Sequence, residues 1–99
     1  MKRAKVLETA LMQRCMPLDD RTWLEVLQEA AFVEGAPLAG VLGGSHRPAA
    51  ARARHATWLE LREAGYSYSE IARVWGCDHT TVHGAVKARL AKAAERKTA

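Results

Sequence analysis

Four consecutive residues, Asp78, His79, Thr80 and Thr81, combine hydrogen-bonding groups of several kinds, and none is an obvious core residue. The Asp78 carboxylate can accept from the amino group of cytosine, the imidazole and hydroxyls can donate or accept, and a threonine methyl can pack on the methyl of thymine. Grouped at the start of a helix, such side chains suit the reading of base edges in a DNA major groove. The rival chemistry draws on the same stretch. His79 and His83 stand at i and i+4, the spacing by which one helix face holds a metal, and Cys77 adds a thiol. Catalytic zinc helices place a glutamate base between such histidines, whereas here the intervening residues are Thr80, Thr81 and Val82. No serine, histidine and acid arrangement or glycine-rich phosphate cradle stands elsewhere, so no catalysis, metal or cofactor is expected.

The elements that must position the quartet are written around it. Ser67 is followed three residues later by Glu70, the capping-box spacing that starts a helix. Ile71, Val74 and Trp75 give it an apolar stripe, and Gly76 can enter the left-handed conformation that closes it. Asp78 then opens a second helix with Val82, Ala85 or Val86, and Leu90 on its inward face. A short helix, a glycine turn and a longer helix predict a helix-turn-helix, with residues 78–81 first to meet the groove.

With 99 residues, 48% of them hydrophobic and 26% charged, the chain falls in the ordinary globular range and admits one small core. Strand-rich stretches are absent, so an all-α fold is expected. Charge is divided unevenly. Residues 1–45 hold five Lys/Arg against six Asp/Glu, and residues 46–99 hold ten against five, giving the overall +4. The basic half carries the motif, as a polyanionic partner would favour. Cys15 and Cys77 make no CxxC pair, so reduced thiols are expected. The basic start is interrupted by Glu8, Gln13 and Arg14, unlike a signal peptide, and no run approaches the roughly 18 apolar residues of a membrane span. The expectation is a cytoplasmic, nucleoid-associated protein with no membrane partner.

In chain order, residues 2–15 read as a helix with Val6, Leu7, Ala10 and Leu11 on one face, ended before Pro17. Asp19 and Asp20 are the expected caps of a helix over about 21–34, with Trp23, Val26, Leu27, Ala30 and Ala31 inward and Gly35 ending it. Pro37 fits the opening turn of a short helix through Val41 and Leu42, residues 43–47 form a loop, and Pro48 starts a long helix to about Ala64. Trp58, Leu61 and Trp75 are expected in the core, the tryptophans there rather than stacked on bases. Residues 1–16 are thus an extra amino-terminal helix, and 17–99 the main domain.

The stretch GCDHTTVHGAVK closely resembles the DHTTV signature in the carboxy-terminal DNA-binding domain of the bacterial replication initiator DnaA, a helix-turn-helix domain of Trp-repressor-like type. About three quarters of the chain shares the family's order. WLEVLQEAAFVEGAPLAGVLGG looks like its leading helices, PAAARARHATWLEL like its long helix, and SYSEIARVWGCDHTTVHGAVKARL like its core motif. The resemblance implies base contacts by Asp78, His79, Thr80 and Thr81 and phosphate contacts by Arg54 and His55. The family's basic loop sends an arginine into the minor groove. Here GGSHRP offers His46 by ungapped alignment, or Arg47 after a one-residue shift. The family's Gly-Gly-Arg is shortened to Gly76-Cys77, His83 replaces an aliphatic residue, and no GxxxxGK[ST] ATPase motif occurs.

Arg52, Lys87 and Arg89 complete the expected phosphate contacts, against the plainer alternative of solvated helix faces. The resulting expectation is a sequence-specific double-stranded DNA-binding protein, bacterial, of a phage-like element or the DNA-binding domain of a longer activator, acting in transcription regulation and possessing no ATPase activity. An accessory factor occupying replication-origin sites is the alternative. A second alternative is a protein-interaction module that docks through the amino-terminal helix.

Overall fold

The computed structural model describes residues 3–98, and in them six helices and no strand: α1 (Arg3–Met12), α2 (Trp23–Glu34), α3 (Leu38–Leu42), α4 (Pro48–Glu63), α5 (Tyr68–Trp75) and α6 (His79–Thr98). The fold is all-α. No described helix is long and apolar enough to cross a membrane. Met1 and Lys2, where the first helix was expected to begin, lie outside the described residues.

The first helix ends earlier than its pattern implies because the chain turns back on itself. Cys15 pairs with Thr22 in an isolated antiparallel bridge, with Met16 N–H donating to Arg21 O at 2.8 Å and Trp23 N–H to Arg14 O at 2.8 Å. Those bonds take up backbone groups that a longer helix would have used. The cap of α2 also differs from expectation. Thr22, not Asp19 or Asp20, holds it: Thr22 Oγ1 accepts from Glu25 N–H at 3.1 Å, and Glu25 Oε1 accepts from Thr22 N–H at 3.0 Å. Thr22-x-x-Glu25 is a reciprocal box satisfying two donors, which a lone aspartate does not match. Asp19 instead accepts from Arg21 N–H and Nε, at 2.9 and 3.2 Å.

Gly35 ends α2 at φ 71°, and Ala36 N–H closes the turn on Ala31 O at 2.9 Å. Pro37 stands just outside α3 as its cap residue rather than within its first turn. Pro48 opens α4 at its first turn, where its missing N–H is no loss.

One core joins all six helices. Trp23, Leu27, Leu61, Ile71, Val82 and Val86 are essentially inaccessible, and Leu11 of α1 lies among them. Trp23 stacks on Trp75 with ring centroids 6.4 Å apart, Trp75 meets Trp58 edge-on at 5.9 Å, and Tyr66 meets Trp23 edge-on at 4.7 Å. Such offset and T-shaped contacts are the favoured geometries for aromatic pairs. Tyr66 Oη donates to Cys15 O at 2.8 Å, tying the chain before α2 to the chain before α5. Arg21 reaches Glu29 at 2.6 Å and Glu60 at 2.8 Å, so it bridges α2 and α4.

Two expected core residues lie outside. Leu90 is 46% exposed, because α6 outruns its packing partners: every side chain from Leu90 to Glu95 is exposed. At about 1.5 Å per residue, a 20-residue helix is far longer than the eight-residue α5 against which it packs. Val6 is 55% exposed, since Leu7 and Leu11 take the inward positions one turn apart. Between Ala85 and Val86, the fully buried residue is Val86, while Ala85 and Val74 are half-buried.

Candidate nucleic-acid interface

The stretch 78–81 is held by two caps in series. Ser67 Oγ accepts from Glu70 N–H at 3.1 Å while Glu70 Oε1 accepts from Ser67 N–H at 2.9 Å, the reciprocal box expected for α5. Ile71, Ala72 and Trp75 anchor this helix in the core. Gly76 at φ 71° ends it, with Cys77 N–H closing on Ala72 O at 3.0 Å. The turn Gly76-Cys77-Asp78 then delivers the chain into α6. Asp78 Oδ1 accepts from Thr80 N–H at 3.0 Å and Asp78 O from Thr81 N–H at 3.0 Å.

Asp78, His79, Thr80 and Thr81 are therefore brought together and all exposed at the start of α6, while Val82 behind them is fully buried. Asp78 works as the cap. Its carboxyl lies below the usual carboxylate range, chiefly because the Thr80 backbone N–H donates to it, and His79 Nδ1 lies 3.2 Å from the same oxygen. His79, Thr80 and Thr81 are the exposed hydrogen-bonding side chains beside this cap. The other histidine of the i, i+4 pair turns elsewhere: His83 meets Tyr68 edge-on at 4.7 Å. Burial, then the Asp78 charge, push the Cys77 thiol up. No three His, Cys, Asp or Glu side chains converge as metal ligands among the described residues.

Ser67 caps α5, the helix that leads into this turn. Ser67→Ala should cost about 1 kcal/mol, within the 0.5–2 kcal/mol range of lost caps, read by urea titration. Glu70 adds a pH signature. The Ser67 backbone N–H, then its hydroxyl, hold the Glu70 carboxyl below its ordinary value. A lowered folded pKa contributes stability above the unfolded pKa, lost as pH falls through the folded one. The stability gap between wild type and Glu70→Gln should therefore be open at neutral pH and close in acid.

The expected phosphate contacts fall into separate groups. His46 and Arg47 are exposed in the loop before α4, with Arg47 N–H donating to Ser45 Oγ at 3.2 Å. Arg54 is half-buried beneath that loop and donates through Nη2 to Ser45 O at 2.8 Å. Burial, then the charge of Arg3, lower its proton affinity. His55 packs against Trp58 with centroids 5.4 Å apart, and burial followed by Arg54 and Arg89 keeps it below the usual histidine range.

Arg52 and Arg89 meet on one carboxylate. Arg52 Nε donates to Glu34 Oε1 at 2.7 Å, and Arg89 Nη2 lies 3.8 Å from Glu34 Oε2. Together with His55 they line a shallow groove between α4 and α6 that also includes Lys92. Lys87 is exposed on α6. Arg3, Arg73 and Lys92 did not stand out in the sequence. Arg3 and Arg73 gain their place only through folding, which brings α1 and the end of α5 to the same cleft as His46 and Arg54.

No protein-family model matches this chain, and no curated protein or solved structure shows significant similarity to it.

Proposed function

We propose that this chain binds double-stranded DNA with sequence preference, using α5, the Gly76 turn and α6 as a helix-turn-helix. The observation that carries the proposal is the joint exposure of Asp78, His79, Thr80 and Thr81 at the start of a helix anchored by Val82 and Val86. Cationic side chains stand on the loop, on α4 and on α6, the residue types that hold phosphate in such proteins. The similarity of DHTTV and its surroundings to the DnaA DNA-binding domain supports the same assignment. The role is binding without catalysis, in a transcription regulator of the nucleoid. Occupation of origin sites is the second outlet for the same chemistry. Selecting bound duplexes from a random pool tests the assignment: a recovered motif supports it, and recovery of no motif counts against sequence preference. An initiator-like box as the product would favour the origin role.

Of the apolar face of α1 that the interaction-module alternative would use, Leu7 and Leu11 lie in the chain's own core while Val6 is exposed.

Affinity should fall steeply with salt. Arg47, Arg54 and Lys87 alone, each on one phosphate, give a log–log slope near −2.7, or about a 40-fold loss between 50 and 200 mM. Arg52 and Arg89 steepen it further if they exchange Glu34 for phosphate. Arg54→Ala should weaken all duplexes alike and flatten the slope by about one. Fluorescence anisotropy over that range is the check, and a salt-independent affinity contradicts the assignment.

A further inference from the structure

An open cleft of about 750 Å3 lies between α1, α3, the loop before α4, and the end of α5. Arg3, His46, Arg54 and Arg73 line it, and among the described residues no aspartate or glutamate does. Trp58 and Trp75 also form part of its wall, being only 4% and 7% exposed. Among the described residues, the indole N–H groups of Trp23, Trp58 and Trp75 and Nη1 of Arg54 are buried with no acceptor, so orphaned indoles are common to the core and not special to this cleft. Three guanidinium groups and an imidazole converging on one cleft define a place where an anion gains charge and hydrogen bonds together.

We propose that this cleft seats a phosphate group of the DNA backbone, with Arg3 of α1 and Arg73 of α5 joining Arg54 to hold it. The proposal rests on the DNA-binding assignment and extends it to an element outside the helix-turn-helix. Position identifies the occupant: Gly76 and Cys77 line the cleft and lead directly into Asp78, so a duplex engaged by residues 78–81 carries its backbone past the opening. Chemistry agrees with position. Guanidinium forks match phosphate oxygens, and an anion relieves the mutual repulsion that, after burial, lowers the proton affinity of Arg54 beside Arg3. The amino-terminal helix then serves two purposes, burying Leu7 and Leu11 on one face and presenting Arg3 at its start.

The test compares full-length wild type, Arg3→Ala, Arg73→Ala and Lys5→Ala on a duplex of random sequence from about 50 to 200 mM salt. Lys5 is exposed on α1, lies 3.8 Å from Glu8 and does not line the cleft. Because a single phosphate is seated, Arg3→Ala and Arg73→Ala should each flatten the log–log slope by a part of about 0.9, Arg3→Lys should restore most of what Arg3→Ala loses, and Lys5→Ala should match wild type. Arg3 and Arg73 are exposed, so thermal melts should stay unchanged. Equal slopes for wild type and both arginine variants overturn the seat while leaving DNA binding intact. A wild type that does not bind duplex overturns both. Nitrogen–proton spectra locate the contact: the Trp58 and Trp75 indole resonances, in the wall of the cleft, should move on adding duplex to wild type and move less in Arg3→Ala and Arg73→Ala. A flattened slope with unmoved Trp58 and Trp75 resonances would put the phosphate elsewhere and overturn the seat.

Discussion

His79→Ala should bring affinity for the selected duplex close to that for random sequence while leaving the protein folded. The His79 side chain is 62% exposed, and its close neighbour is the capping carboxylate of Asp78. Truncation opens no cavity and leaves the Asp78–Thr80 cap bond in place, so stability should change by less than about 1 kcal/mol. What is lost is a base-edge contact, worth roughly 1–3 kcal/mol of discrimination, or about one to two decades in affinity. The salt slope should hardly move, since no phosphate contact goes with it. Thr80→Ala should act in the same sense. Val82→Ala should do the opposite: its side chain is fully buried, and losing two buried methyl groups costs roughly 1–3 kcal/mol of stability before recognition is touched. Paired titrations of selected and random duplexes, with melts of each protein, separate the cases. A His79→Ala protein that keeps its preference, or that loses binding only by unfolding, removes residues 78–81 as the reading head.

Local chemistry made the centre of this fold legible. Ser67 and Glu70 carry their capping box in sequence spacing alone, and Gly76 stands where only a residue at ease with positive φ closes the turn. Thr22 and Glu25 carry the same spacing, yet Asp19 and Asp20 nearby are equally good acceptors by residue type. What separates them is the glutamate three residues on, which Thr22 has and Asp19 and Asp20 lack, so residue type alone points to the wrong cap where spacing points to the right one. Leu90 marks another limit. Its register matches Val82 and Val86, but burial needs a partner opposite it, and α6 has run past its partners there. The cations divide in the same way. His46, Arg54 and Lys87 were accessible to sequence reasoning, whereas the common carboxylate of Arg52 and Arg89, and the approach of Arg3 to Arg54, exist only in the packed chain.

Leu11→Ala should be among the most destabilising single changes in the molecule, although it lies far in sequence from the proposed reading head. Leu11 is fully buried in the common core, and α1 packs against α2, α3 and α5. A leucine-to-alanine change at such a site costs about 2–5 kcal/mol, depending on how far the cavity can collapse. Domains of this size commonly hold only about 5–15 kcal/mol in total and shift their melting temperature by roughly 4–8 °C per kcal/mol. The expected fall is therefore on the order of 10–30 °C. Val6→Ala and Met12→Ala, at side chains 55% and 56% exposed, should stay within about 0.5 kcal/mol of wild type. An amino-terminal helix serving only to dock on another protein would show the reverse order, with Leu11→Ala melting like wild type and losing only its partner. Deleting residues 1–15 whole would not separate these cases, because it removes Leu7 and Leu11 from the core along with any docking surface. Differential scanning calorimetry of the three point variants decides between them: a Leu11→Ala melt within a few degrees of wild type would detach α1 from the core, and with it the placement of Arg3 beside Arg54.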